Sequence, residues 1–378
     1  MHIDRVELIT VRMPLVHPFT TSFSTQTERR PLLVRVTASR EGRTVTGWGE
    51  CVALFDPSYS PEYLDGAREM LRRFLVPSLL EWQAAGRTVS AETVAAATAH
   101  VVGHRMAKAA LEMAVLDAGL RLDDRGFADL LGVTRAVVPS GVSVGIESSI
   151  PDLLAQVGGF LDEGYARIKL KIQPGWDIEP VRAVREKFGD VPLQVDANTA
   201  YRLSDAPLLR RLDPFDLLLI EQPLAEDDLR QHALLAQQIA TPVCLDESIV
   251  SVDAAADAIA MGAASVINIK PGRVGGYLAA RRIHDLAEAN GIAVWCGGML
   301  ETGIGRAANI ALAGLPGFTL PGDVSGSNRF YAQDVTEPVV MKDGVVAIPE
   351  GPGFGVEPLA DVLGDVTIDT VDIAAHRS

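Results

Sequence analysis

The chain has 378 residues, 48% apolar and 22% charged, with a mean hydropathy of +0.17. This is a globular composition, too long for one small core, and it contains no run of about 18 apolar residues that could span a membrane. Its 34 basic residues against 49 acidic ones give a net charge of −15, which repels phosphate backbones and anionic lipid and excludes nucleic acid and membranes as partners.

Residues 4–15, 31–39 and 43–53 alternate like an antiparallel meander, with a turn at Glu41-Gly42. Helical periodicity follows over 61–80, 91–102 and 106–122. Strands first and helices after predict a separate α+β domain over 1–125. From about residue 138 the rhythm changes to short apolar runs, each followed by a loop and an amphipathic helix. There are eight, at 140–146, 166–172, 192–198, 216–223, 241–248, 264–272, 292–299 and 318–323. Non-alternating strands with helical crossovers predict a parallel sheet covered on both faces, and eight of them predict a (β/α)8 TIM-type barrel over 135–330 rather than an open doubly wound sheet. The segment 331–378 carries a hairpin signal at Asp343-Gly344. It is expected to return to the first domain and complete it.

The three cysteines, Cys51, Cys244 and Cys296, are far apart, with no CxxC or HExxH spacing. That pattern suits reduced thiols in a cytoplasmic enzyme without a zinc site, and the opening MHIDRVELIT lacks the features of a signal peptide.

Four of the apolar runs finish alike: Asp196 ends LQVD, Glu221 ends LLLIE, Asp246 ends VCLD and Lys270 ends VINIK. Each is therefore expected at the C-terminal mouth of its strand, the face on which barrels do chemistry. A lone acid after a strand is usually a helix cap or a solvated loop residue. Three on successive strands converge, and their repulsion calls for a cation. All-oxygen ligands suit one divalent ion, Mg2+ or alternatively Mn2+ or Co2+.

The run RIKLKI at 167–172 places Lys169 and Lys171 on one face of a strand, with Ile168, Leu170 and Ile172 on the other. Lys270, four strands later, is expected to face Lys171 across the mouth. The like charge of Lys169, with partial burial, is expected to lower the pKa of Lys171 so that it can accept a proton. A divalent ion holding a carboxylate stabilises the dianion formed when the neighbouring carbon loses its proton, and a lysine on each face can remove or return that proton. Racemisation, epimerisation, elimination and cycloisomerisation all begin this way. A metal-free Schiff-base lysine is the competing chemistry from another class.

The motifs KLK at 169–171, DAN at 196–198, IEQP at 220–223, LDES at 245–248 and NIKPGRVGG at 268–276 resemble the muconate-lactonising subgroup of the enolase superfamily. Within it, TSFSTQ (21–26), GWGECVA (47–53), WCGGMLETGIGRAAN (295–309) and TLPGDVSGSNRFY (319–331) are similar to the o-succinylbenzoate synthases that double as N-acylamino acid racemases. The resemblance implies a modified enolase-type barrel with an N-terminal capping domain. It implies that Lys171 is the base and Lys270 the partner acid/base or cation–π clamp, and that Asp196, Glu221 and Asp246 hold the metal. Lys169 and Asn198 would support the base and the substrate carboxylate; Phe19, Phe23 and Tyr59 would supply apolar walls. Gly298 and Met299 would approach the substrate closely, and Asp323 would stand at the eighth strand. The implied activity is dehydration of 2-succinyl-6-hydroxy-2,4-cyclohexadiene-1-carboxylate, a menaquinone step, with racemisation of N-succinyl or other N-acyl amino acids. The partner is thus a small-molecule carboxylate, and a homo-oligomer, dimer or octamer, is expected. Muconate cycloisomerisation and dipeptide epimerisation are the alternatives. Against the latter, the Asp-x-Asp after strand eight is replaced by Asp323, Val324 and Ser325.

Overall fold

Arg12 divides the first apolar stretch into two strands rather than one. In a computed structural model describing residues 1–374, β1 (His2–Val11) enters a sheet, while β2 (Met13–Thr20) turns away to form a separate hairpin with β3 (Thr25–Arg29). β4 (Leu32–Arg40) and β5 (Arg43–Cys51) follow, joined at Glu41 and Gly42, both at positive φ.

The long helix Arg105–Leu122 lies across β5. Gly47 and Gly49 are required at this crossing, because a Cβ on either would run into the helix backbone at Ala114 or Ala110. The helix begins where the Glu62 carboxylate accepts the N–H groups of Met106 (3.0 Å) and Ala107 (3.3 Å), satisfying amides that have no partner within the helix.

After the short strand β6 (Val137–Pro139), seven parallel strands form one sheet. They are β7 (Gly141–Val144), β8 (Arg167–Lys171), β9 (Leu193–Asp196), β10 (Ile220–Glu221), β11 (Val243–Leu245), β12 (Val266–Ile269) and β13 (Ala293–Cys296). They pair in chain order. The eighth apolar run, 318–323, is not a strand of that sheet. It makes isolated parallel bridges, Phe318 to Val294 of β13 and Gly322 to Ser140 beside β7. Pro321 can donate nothing to a ladder, which shortens the pairing. Two bonds still draw this segment between the first and last strands: Gly141 N–H to Gly322 O at 2.7 Å and Asp323 N–H to Cys296 O at 2.9 Å.

The apolar face of each barrel strand, Ile168, Leu170 and Ile172 in β8 and its continuation, packs against the surrounding helices. Inside, a small cluster of Leu219, Cys244, Val266 and Trp295 fills the floor. Charged groups occupy the level above it.

The hairpin β14 (Met341–Lys342) and β15 (Val345–Ala347) turns at Asp343 and Gly344, both at positive φ, as a two-residue primed turn requires. It pairs with β6 and not with the first sheet. The segment that joins β1 comes later, as β16 (Thr367–Ala374), giving the sheet order β16-β1-β4-β5. Among the described residues, no helix is long and apolar enough to cross a membrane.

Candidate active site

Register brings the first three charges level. Lys171 of β8 pairs with Asp196 of β9, and Asp196 with Glu221 of β10. Asp246 follows β11 directly and Lys270 follows β12. All five side chains rise from the same end of the sheet, and all are buried.

A network of ion pairs joins them. Lys171 Nζ donates to Asp196 Oδ2 at 2.6 Å and to Asn198 Oδ1 at 2.7 Å. Lys169 Nζ donates to Glu221 Oε2 at 2.9 Å and Asp323 Oδ2 at 2.8 Å, above the Trp295 ring at 4.6 Å. Lys270 Nζ donates to Asp246 Oδ2 at 2.8 Å and lies 5.0 Å from the Tyr59 ring centroid, with the Tyr59 hydroxyl at 3.3 Å. Arg273 also pairs with Asp246.

Burial and charge oppose each other throughout. Burial lowers the pKa of Lys169, but Asp323, Glu221 and Asp196 reverse this and leave it raised. Burial likewise lowers that of Lys270, but Tyr59 and the carboxylates Glu247, Glu221 and Asp196 outweigh it and leave it raised. Burial raises Asp196, yet Lys171 and Lys169 hold it below the usual carboxylate range. Glu221 stays raised, through burial and then the nearby Asp196. The charge of Lys169 is thus neutralised by three carboxylates. The expectation that it would act on Lys171 as a bare like charge loses its source.

Several residues that the sequence left without a role hold this network. Gln222 Oε1 accepts the N–H groups of Asp246 (3.0 Å) and Ser248 (3.2 Å), and its Nε2 donates to Ser248 Oγ at 2.7 Å, so β10 fixes the loop after β11. Asn268 Nδ2 donates to Glu221 Oε1 at 2.7 Å. Asn198 Nδ2 donates to Glu247 Oε1 at 2.9 Å. Asn198, Thr199 and Gln222 all stand at positive φ, strain that these bonds sustain. Both Gln222 and Glu247 lie inside quoted motifs; their presence was legible, but their partners were not.

The cavity among the lysines is small, about 50 Å3, with Lys169, Lys171, Lys270, Phe19, Gly298 and Asp323 on its walls. Phe23 does not line it, but packs on Tyr59 with centroids 6.0 Å apart. Met299 is buried in the core under the first sheet, and Tyr59 lines a neighbouring cavity while its hydroxyl accepts from Lys270. The hairpin of β2 and β3 reaches the mouth, where Ser22 Oγ donates to the Asn198 carbonyl at 3.2 Å.

The donor chemistry of Asp196, Glu221 and Asp246 fits a hard divalent cation, being all carboxylate oxygen without imidazole or thiolate. A buried oxygen beside them, Glu247 Oε2, has no hydrogen-bond partner, and Asp196 and Glu221 add to the effect of burial in raising the Glu247 pKa. The local excess of negative charge therefore also suits a cation. The three carboxylates are drawn apart onto their lysines, and their oxygens do not all lie within 4.8 Å of one another. Among the described residues that closeness is met by His284, Asp285 and Glu288 on the outer helix Tyr277–Ala289. There His284 Nε2 accepts the Gly317 N–H at 3.1 Å and Nδ1 faces Asp285 at 2.8 Å, so the ring braces a loop.

Residues 5–132 match the family described as Mandelate racemase / muconate lactonizing enzyme, N-terminal domain, and residues 152–362 match Enolase C-terminal domain-like. The N-succinylamino acid racemase of Amycolatopsis sp is 61% identical over 99% of this chain and 100% of its own. The o-succinylbenzoate synthase of Bacillus subtilis (strain 168) is 43% identical over 96% of each. The crystal structure of an enolase-superfamily member from Listeria innocua has a TM-score of 0.94 at 38% identity, covering 100% of both chains.

Proposed function

This chain belongs to the mandelate racemase / muconate lactonizing enzyme family of the enolase superfamily, and from that premise we propose an o-succinylbenzoate synthase that also racemises N-succinyl and other N-acyl amino acids. The observation that carries this reading is the pair Lys171 and Lys270, four strands apart in the sheet and lining one cavity with carboxylates between them. An N-succinylamino acid racemase at 61% identity and an o-succinylbenzoate synthase at 43% support it.

Enolase-superfamily enzymes use a divalent metal, and Asp196, Glu221 and Asp246 are the residues that would hold it. When bound, it would supply the positive charge that makes a proton next to a carboxylate removable. In the synthase reaction Lys171 takes the proton from the ring carbon bearing the carboxylate, the C–O bond at the next carbon breaks, and the protonated Lys171 returns that proton to the departing oxygen, which leaves as water while the ring becomes aromatic. Lys270, ion-paired to Asp246, supplies fixed positive charge on the opposite side. In the racemase reaction one lysine removes the α-proton and the other returns a proton to the opposite face, so their protonation states exchange with each turnover.

Lys169 positions Glu221 and Asp323, and Asn198 positions Lys171. Asp323 is committed to Lys169 and Arg167, which disfavours a dipeptide epimerase that needs a free carboxylate for the substrate amine. A cavity of about 50 Å3 holds a few waters and not a succinylated amino acid, so the segments carrying Phe19 and Tyr59 must shift to admit substrate. We take 1–125 as the capping domain, 135–330 as the catalytic barrel and 331–378 as the C-terminal segment, of which β16 returns to the cap and 375–378 lie outside the described residues. The three buried, unpaired cysteines support a reducing compartment. A homo-oligomer is proposed on the family resemblance, and the mass in solution tests it.

The direct test supplies the cyclohexadiene carboxylate and an N-succinyl amino acid to the Mg2+-loaded protein and follows aromatic product and optical rotation. Turnover of neither would sink the reading; turnover of a muconate instead would favour the cycloisomerase.

A further inference from the structure

Beyond the lysines, the cavity carries one more cation. Phe19 and Arg329 form the wall between it and an outer groove of about 670 Å3, which lies between residues 16–20 and the helix Ile150–Asp162. Arg329 closes the turn Ser327–Arg329, a few residues after the eighth barrel segment. Its guanidinium is flanked by two rings, with Cζ 4.8 Å from the Phe160 centroid and 5.0 Å from that of Phe330. It donates to the Ser143 carbonyl at 2.9 Å. Its Nε–H is buried without a partner, and among the described residues no carboxylate pairs with it.

The other cations on this cavity are all neutralised: Lys169 by Glu221 and Asp323, Lys171 by Asp196, and Lys270 by Asp246. Asp323 is also taken by Arg167, while Glu163, on the groove side, acts on Arg329 through space without an ion pair. A guanidinium partly withdrawn from water, with one hydrogen bond and no carboxylate within ion-pairing distance, is costly. Two aromatic faces offset part of that cost and fix the plane of the fork, leaving donors for an anion that the protein does not provide.

We propose that Arg329 receives the distal carboxylate of the substrate's succinyl arm, at the seam between the catalytic cavity and the groove. This rests on the functional reading above and names what its two reactions share. The cyclohexadiene carries the arm through a ketone carbon and the amino acid through an amide; each ends in the same carboxylate. One anchor, remote from the reacting carbon, then holds two unlike substrates with an α-proton near the lysines. The groove behind Arg329 gives the arm the room that the small cavity lacks.

The test compares N-succinylphenylalanine with N-acetylphenylalanine, which lacks the distal charge. In calorimetry with Mg2+, the wild type is expected to bind the succinyl compound about ten- to a hundredfold more tightly, the scale of a charged hydrogen bond. Arg329→Met should erase that preference while changing the acetyl affinity by less than about threefold, and Arg329→Lys should recover part of it. Equal wild-type affinities, binding of neither compound, or an equal loss on both in Arg329→Met would overturn the proposal. α-Proton exchange in D2O on the same compounds reads the chemistry separately: a retained succinyl preference without exchange defeats the racemase reading and leaves the anchor standing.

Discussion

Lys171 Nζ lies 2.6 Å from Asp196 Oδ2, so the residue read as the base is ion-paired with a residue read as a metal ligand. A divalent ion held by Asp196 would compete with Lys171 for this carboxylate. α-Proton exchange in D2O is expected to stop on treatment with EDTA and to return with Mg2+. Lys171→Ala and Lys270→Ala should each slow it on the order of 10²- to 10⁴-fold. Exchange at the wild-type rate in both variants would remove the two-base assignment, and exchange insensitive to EDTA would favour a metal-free lysine chemistry.

Asp323 bridges Arg167 at 2.9 Å and Lys169 at 2.8 Å, and both cations are buried over the Trp295 ring. Asp323→Asn leaves two charges with one fewer anion. At full burial such a loss costs about 3–5 kcal/mol, and less here because the Asp323 side chain keeps 17% of its exposure. The urea midpoint should fall accordingly. An unchanged midpoint would mean that water, and not Asp323, balances these cations.

Gly276 stands at φ +129° where the helix Tyr277–Ala289 begins, against the Glu112 carboxylate. A Cβ there would overlap that carboxylate, in a backbone region that L-residues rarely adopt. Gly276→Ala is expected to lower stability by about 2 kcal/mol or more, read as a drop in Tm. A Tm within a degree of wild type would show that Glu112 simply swings aside.

Glu112 accepts the Leu278 N–H at 3.1 Å, and burial pushes its pKa from 4.5 up to about 7. A carboxyl raised in the folded state stabilises fully below its unfolded value, and that contribution is lost as pH rises through the folded one. The window is therefore from about pH 4.5 to 7. Glu112→Gln keeps the shape without titrating, so its stability relative to wild type should improve from pH 5 to pH 8, by at most on the order of 3 kcal/mol. Parallel stability curves for the two proteins across that range would refute the assignment.

The placement of these charges was legible because they recur once per βα unit at strand ends. Asp196, Glu221, Asp246 and Lys270 each follow an apolar run, and the structure sets them at one end of one sheet. Tuning was not legible. Alternation put Lys169 beside Lys171, but whether Lys169 stays a bare charge depends on Glu221, 52 residues later, and Asp323, 154 residues later. Gln222 and Glu247 sat within recognised motifs, yet their work lies in hydrogen bonds to neighbouring strands. The eighth strand was over-read, since 318–323 has the apolar pattern but only bridges to its neighbours.

The sequence by itself determined the architecture and the chemical inventory. Periodicity sorts residues between faces, and each strand's last residue is fixed by where its apolar run stops. Tertiary structure alone decided which charge meets which, that β16 and not the Asp343 hairpin joins β1, and that Arg329 stands at the cavity wall without an anion. Ion pairing and burial depend on distance in space, to a few ångströms, between groups that lie far apart along the chain.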